Sequence, residues 1–410
     1  MKSSAVVLIN DRIELKNLPE DIQSILRHRG LLTSGGEKVS FCGLLQSADK
    51  NYVFLPRAMK LEHSSLPCLF SAIRKYSRHT ANLIDSRDEG QSLHGNSELL
   101  LINEILTDYR QNGIYTRRTR LTSVDRGKPN WSKTIKNFAP FFGRKGPVYL
   151  NYIGSSSLNQ QNSEVSRIHA YIVKQLEVRF AEILFGASFY KDDGLPSPQR
   201  LDESYLISTL TSELQRLYSD RDIRLISALI RYVQRLYGPA QSSLLIGIKG
   251  FHSLWEHMLR FTISGAIEIN AKFSIPTYLT IDGEHLEAPN KGQRTDIIVY
   301  NEESNIYGVI DAKYYQAEDL KSAPGWSDLL KQFFYAKAVK SLYPDSTVKN
   351  YFIFPGQKGV FRLAYMKQRQ TRNSDKLYPE IHCLYVDPQE VIEAFIEDSV
   401  LEALSKQVAC

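Results

Sequence analysis

Two short apolar runs with a polar turn between them constrain this chain more than any other feature. Residues 294–300 read Arg-Thr-Asp-Ile-Ile-Val-Tyr, and residues 308–313 read Gly-Val-Ile-Asp-Ala-Lys. β-branched runs of this length, bounded by turn residues, predict two strands, and their close spacing lets them pair as a hairpin. Strand side chains alternate between faces, so Asp311 and Lys313 point the same way, and Asp296 can reach the same spot across the hairpin. Two carboxylates and one ammonium at the end of a sheet can hold a divalent metal and position a water, the minimum for hydrolysing a phosphodiester. The bland alternative is a structural Asp311–Lys313 ion pair, which would gain little inside apolar strands.

Metal-assisted attack on phosphorus needs hard oxygen ligands. Asp296 and Asp311 supply carboxylates, and the Ala312 carbonyl lies beside them. Lys313 brings positive charge to where the nucleophile and the phosphorane oxygens would sit. Glu256, in Ser-Leu-Trp-Glu-His-Met-Leu, follows residues that bury most of a helix surface, so it extends the metal site or simply faces solvent. Gln332 lies in the helix expected after the Lys313 strand, where its amide either holds a water or phosphate oxygen or packs. Tyr335, one turn later, lines a DNA path or the core, and Tyr314 and Tyr315 are equally open. His252 and His257 flank Glu256 and read as structural or surface residues.

With 410 residues, the chain exceeds one comfortable core. No apolar run approaches the roughly 20 residues that cross a bilayer, and the N-terminal apolar stretch is short for a signal peptide, so a cytoplasmic location is expected. Cys42, Cys68, Cys383 and Cys410 form no C-x-x-C pair and read as reduced thiols rather than zinc or iron–sulfur ligands.

A net charge of +6 says little by itself. Its distribution says more: between 110 and 150 lie Arg110, Arg117, Arg118, Arg120, Arg126, Lys128, Lys133, Lys136, Arg144 and Lys145, opposed by Asp125 alone. Interleaved with Tyr115, Trp131, Phe138, Phe141 and Phe142, this composition suits phosphate contact and base stacking, with Arg117, Arg118, Arg120, Lys128, Lys133 and Lys136 as the candidate DNA contacts. A solvated basic surface is the competing reading.

Patterning gives the organisation. A short helix over 19–32 ends at Gly30, strands are expected at 39–45 and 52–56, and helices at 69–84 and 98–110. A basic hairpin follows at 114–129, so the helices and hairpin together suggest a winged-helix-like arrangement. Residues 160–245 carry three apolar stripes at helical spacing: Ile168 to Ile183, Leu206 to Leu217 and Ile223 to Tyr237. From 247 onward the order becomes helix 251–261, extended segments at 267–275 and 277–281, the two strands, helix 326–342 with Ser327 as cap, and a strand at 351–354. That is an α/β layered core. The expected division is 1–150, a DNA- or partner-binding region; 151–245, a helical connector; and 246–410, the catalytic domain.

Glu256, Asp296, Asp311-Ala-Lys313 and Gln332, in this order, resemble the PD-(D/E)XK nuclease core. Phe251-His-Ser-Leu-Trp-Glu, Val309-Ile-Asp-Ala-Lys-Tyr-Tyr and Asp328-Leu-Leu-Lys-Gln-Phe-Phe-Tyr-Ala resemble more specifically the LlaJI-type restriction endonuclease subunits, relatives of McrC. Gly127-Lys-Pro-Asn-Trp-Ser-Lys and Ser40-Phe-Cys-Gly-Leu-Leu extend that resemblance toward the N-terminus. Thr295 stands where the motif has proline, a position not needed to bind metal. The resemblance implies an α/β (α+β multidomain) chain whose C-terminal core has a mixed central sheet flanked by helices. It also implies a Mg2+-dependent DNA endonuclease of a phage-defence restriction system, cutting double-stranded DNA with a McrB-like AAA+ GTPase and alongside a cognate DNA methyltransferase. The chain has no G-x-x-x-x-G-K-[ST] loop, so a motor would have to be a separate partner. Two rivals stay open: a repair or end-processing nuclease without a GTPase, and a non-catalytic DNA-binding adaptor with a vestigial fold.

Overall fold

The computed structural model describes residues 5–47, 50–81, 92–94, 96–143, 146–191, 194–237, 244–289, 292–370 and 373–409. Their mixed α/β elements gather into two compact units. One comprises Met1–Leu99, Ile183–Gly186 and Ser243–Cys410; the other comprises Leu100–Glu182 and Ala187–Ser242. By contact the second unit begins at Leu100 and ends at Ser242, close to the boundary expected at 245. The strand Leu245–Lys249 pairs antiparallel with Phe41–Ser47 and joins the C-terminal part to the N-terminal sheet. Gly43 and Gly247 face each other in that ladder, and a Cβ on either would strike the opposing backbone. The close crossing requires glycine on both sides.

In the first unit, the N-terminal sheet runs in the order Ala5–Asn10, Lys50–Leu55, Phe41–Ser47, Leu245–Lys249, Ser92–His94. The helix Glu20–His28 packs Ile22 and Leu26 against Phe41, Leu45 and Phe54. Both aliphatic side chains are fully buried, each contributing roughly 1.5–3 kcal/mol.

The second sheet of this unit runs Ala266–Ile267, Ile297–Asn301, Ile306–Ala312, Thr347–Pro355, Ile381–Val386, Leu363–Ala364. Ile297–Asn301 and Ile306–Ala312 form the expected antiparallel hairpin. The helix Trp326–Leu342 then connects Ile306–Ala312 to its parallel neighbour Thr347–Pro355. Phe333 and Val339 of that helix pack on the sheet, Phe333 with Phe352 and Phe354, Val339 with Ile298 and Val309. Two local expectations are corrected. Gly325, not Ser327, occupies the cap position, with no side-chain hydrogen bond there. Residues 267–275 are not one extended segment, because a 3-10 turn at Asn270–Lys272 interrupts them.

The expected helices appear as Ser65–Ala81 and Asn96–Asn112, with residues 82–84 of the first expectation outside the described residues. Ser65–Ala81 belongs to the first unit, whereas the basic strand Arg117–Val124 belongs to the second. The segments that suggested a winged helix are thus split between two units. In the second unit, Arg117–Val124 and Lys128–Pro129 both pair with Ile153–Gln160. Helices follow at Glu164–Leu176, Glu203–Leu214 and Asp220–Tyr237. The apolar stripes supply its core through Ile168, Ile172, Leu176, Phe180, Leu206, Leu210, Ile226 and Val233, all buried. Among the described residues, no helix is long and apolar enough to cross a membrane.

Candidate active site

Register brings the two aspartates together. Ile297 pairs with Ile310 and Ile298 with Val309, so Asp296 and Asp311 follow as neighbours where the ladder ends. Asp296 Oδ2 accepts the Ala312 N–H at 2.9 Å. Lys313 Nζ lies 2.7 Å from Asp311 Oδ2, as their shared strand face requires, and donates to Asp328 Oδ1 at 2.8 Å. Tyr315 OH donates to Asp328 Oδ2 at 3.3 Å. Glu256 comes from the helix His252–Thr262, which is anchored by Leu254, Trp255, Met258 and Leu259, all fully buried. One turn on, Arg260 donates to the Asp296 carbonyl and pairs with Glu268 at 3.0 Å.

Glu256, Asp296, Asp311 and Lys313 line one cavity of about 360 Å³. Of the residues singled out from sequence, Glu256, Asp296, Asp311, Ala312, Lys313, Tyr314, Tyr315 and Tyr335 border it, as does His252, which was expected to be structural or at the surface. Arg12 and Lys331, which the sequence did not single out, border it too. Gln332 does not. It is fully buried, and its Nε2 donates to the Val309 carbonyl at 2.7 Å and the Tyr351 carbonyl at 3.4 Å, bracing two neighbouring strands. Its Nε2 is committed to backbone, while its buried Oε1 has no hydrogen-bond partner among the described residues.

The electrostatics are those of crowded carboxylates. Burial, then the charges of Glu256 and Asp311, push the Asp296 carboxyl well above the usual carboxylate range. Burial alone would lower the Lys313 ammonium, but Asp311 and Asp328 outweigh it and raise its pKa, so the side chain stays charged. The donor chemistry fits a hard divalent cation: Asp296 and Asp311, the Ala312 carbonyl beside them, and Glu256 on the wall, with repulsion among acids that a cation would relieve. Among the described residues no three His, Cys, Asp or Glu side chains are already drawn together around one point. The Asp296–Asp311 pair is therefore the nucleus of the candidate site.

The basic stretch is sorted by its partners. Arg117 Nε pairs at 3.1 Å with buried Glu213, which also accepts from Tyr115 OH at 2.8 Å. Arg117 thus secures its strand to the helix Glu203–Leu214. Arg118, Lys128, Lys133 and Lys136 are exposed, and so are Trp131, Phe141 and Phe142. The side chain of Arg120, and residues Arg144 and Lys145, lie outside the described residues.

Sequence reasoning passed over Asp328, which holds Lys313, although its place one helical turn before Gln332 was a usable signal. Arg12 had no local signal at all.

A family model described as LlaJI restriction endonuclease matches residues 41–365. Among curated proteins, the chain is 25% identical over 358 residues to the type II restriction enzyme BsuMI component YdjA of Bacillus subtilis (strain 168), covering 82% of this chain and 77% of that one. Among solved structures, it is similar to a chain of the half-complex from a tetradecameric assembly of Thermococcus gammatolerans McrB AAA+ hexamers with bound McrC, at 12% identity and a TM-score of 0.39, covering 98% of this chain and 100% of that one. A likeness that slight assigns neither role nor partner. The family match spans most of the sequence, including Glu256, Asp296, Asp311 and Lys313, and the chain belongs to the LlaJI restriction endonuclease family.

Proposed function

We propose that this chain is the DNA-cutting subunit of a restriction system, hydrolysing phosphodiester bonds of double-stranded DNA with Mg2+ at a PD-(D/E)XK-type centre. The observation that carries this reading is the meeting of Asp296, Asp311 and the charged Lys313 in one cavity at the end of a sheet. Asp296, Asp311 and the Ala312 carbonyl would hold the ion, with Glu256 completing or tuning the set. When bound, Mg2+ supplies Lewis-acid activation of water and of the phosphoryl group. Asp328 keeps the Lys313 ammonium aimed at the cavity, where it offsets negative charge that grows in the transition state. Gln332 contributes by holding the strand that carries Asp311 in place.

Catalysis is thus assigned chiefly to residues 246–410, DNA or partner binding to 1–150, and connection to 151–245. The exposed Arg118, Lys128, Lys133 and Lys136, with their aromatic neighbours, form the surface proposed for that contact. A separate AAA+ GTPase of McrB type is the proposed motor, since the sequence holds no nucleotide-binding loop and the Bacillus relative is itself named a component. A cognate methyltransferase would protect the host sites.

The test is cleavage of plasmid DNA by the full chain, with and without Mg2+, GTP and the co-purifying GTPase. Cutting that needs Mg2+ and disappears in Asp311→Ala supports the reading. Cutting without GTP or partner favours an end-processing nuclease, and no cutting at all favours the adaptor.

A further inference from the structure

The cavity has one wall that does not come from the catalytic sheet. Arg12 follows the strand Ala5–Asn10 and reaches the same space as Glu256, Asp296 and Asp311. Its backbone sits at φ 62°, a left-handed conformation that L side chains seldom adopt without a compensating role. The turn is fixed on both sides: Asp11 N donates to the Leu55 carbonyl at 2.8 Å and Arg12 N to the Val39 carbonyl at 2.9 Å. The sheet below is clamped to the segment after Lys313. Arg57 N donates to Tyr314 OH at 2.8 Å, Arg57 Nε to Gln316 Oε1 at 3.0 Å, and the Tyr314 ring packs tilted against Phe251 at 5.1 Å. Arg12 is thus held at a set place relative to the aspartates by contacts that have nothing to do with its own side chain.

That guanidinium is also under-used. It makes no hydrogen bond among the described residues, and its one ion contact is Nε to Asp11 Oδ2 at 3.7 Å, too long for a forked pair. Lys313, by contrast, is engaged by two carboxylates within 2.8 Å. Of the other cations bordering the cavity, Lys313 is held by carboxylates and Lys331 offers a point charge, whereas Arg12 presents a forked set of donors that suits a phosphate.

We infer that Arg12, supplied by the N-terminal sheet, binds a non-bridging oxygen of the phosphodiester being cut and so is a catalytic residue contributed from outside the sheet that carries the aspartates. The inference rests on the nuclease reading of this cavity. It places a working residue in the region otherwise assigned to DNA or partner docking, and outside residues 41–365 that the family model matches.

Arg12→Gly, Arg12→Gln and Arg12→Lys in the full chain test it. Glycine accepts φ 62° freely, so Arg12→Gly is expected to melt no lower than wild type while kcat/KM for plasmid cleavage falls by about 10- to 100-fold. Arg12→Lys, which keeps a cation, is expected to retain more activity than Arg12→Gln. Wild-type kcat/KM in both Arg12→Gly and Arg12→Gln overturns the inference. Activity that falls only in step with melting temperature also overturns it, since that marks a structural role. Should the wild-type chain cut no DNA, the nuclease reading fails by itself. Binding of linear duplex DNA then decides for Arg12: weakened binding in Arg12→Gly upholds phosphate contact, and unchanged binding refutes it.

Discussion

Asp296 Oδ2 and the Ala312 amide are joined by a 2.9 Å hydrogen bond that continues the hairpin one step past its last paired residues. This contact holds one aspartate against the strand end that carries the other. The cost is carboxylate crowding: Asp296 is pushed well above its ordinary pKa by burial and by Glu256 and Asp311. On the proposed metal-binding role, function and stability are opposed at this position. Asp296→Asn keeps an oxygen for the Ala312 amide and removes the charge. It is expected to melt at or above the wild-type temperature while cleavage falls by roughly 100- to 1,000-fold, read by calorimetry and a plasmid assay. A variant that loses stability and keeps cutting would contradict this.

Gln332 should behave as a brace. Gln332→Leu leaves the Val309 and Tyr351 carbonyls without its amide, which is expected to lower unfolding free energy by about 1–3 kcal/mol. Denaturant titration measures this. Loss of cleavage with unaltered stability would instead return Gln332 to the chemistry.

The basic surface makes a prediction in salt. Replacing Lys128, Lys133 and Lys136 together should weaken duplex binding and flatten the dependence of log affinity on log salt by up to about 3. Arg117→Ala should act differently, destabilising the unit by stranding buried Glu213. An unchanged salt slope in the triple variant would assign this face to protein contact.

Two buried groups give opposite pH signatures. Burial, against the pull of Arg12 and Arg57, raises the Asp11 carboxyl to about 7, so the folded chain holds this proton more tightly than the unfolded one. Stability from this group therefore falls as pH rises from 3.8 through 7, by at most about 4 kcal/mol. Burial lowers His169 to about 4, so its contribution is complete above 6.5 and lost as pH falls toward 4. Melting curves of Asp11→Asn and His169→Gln should each remove one slope; parallel curves for wild type and variant would contradict the assignment.

The hairpin, the helix at Trp326–Leu342 and the helix bearing Glu256 were legible in the sequence because strand alternation and helical spacing are local. Asp311 and Lys313 were legible for the same reason, being two residues apart on one strand. Arg12 was not, since it reaches the cavity through long-range contacts: the pairing of Phe41–Ser47 with Leu245–Lys249, and the bonds from Arg57 to Tyr314 and Gln316. No local pattern announces that pairing of Leu245–Lys249 with Phe41–Ser47. Gln332 shows the converse limit. A polar residue in an apolar helix signals a buried partner, but spacing alone does not say whether that partner is substrate or backbone.

The most direct test of the two-aspartate centre is titration of the purified chain with Mg2+, followed by calorimetry, in wild type and Asp311→Asn. A saturable site in the wild type that vanishes in the variant is the predicted result. Equal binding in both, or none in either, would place the metal elsewhere or nowhere and contradict the account.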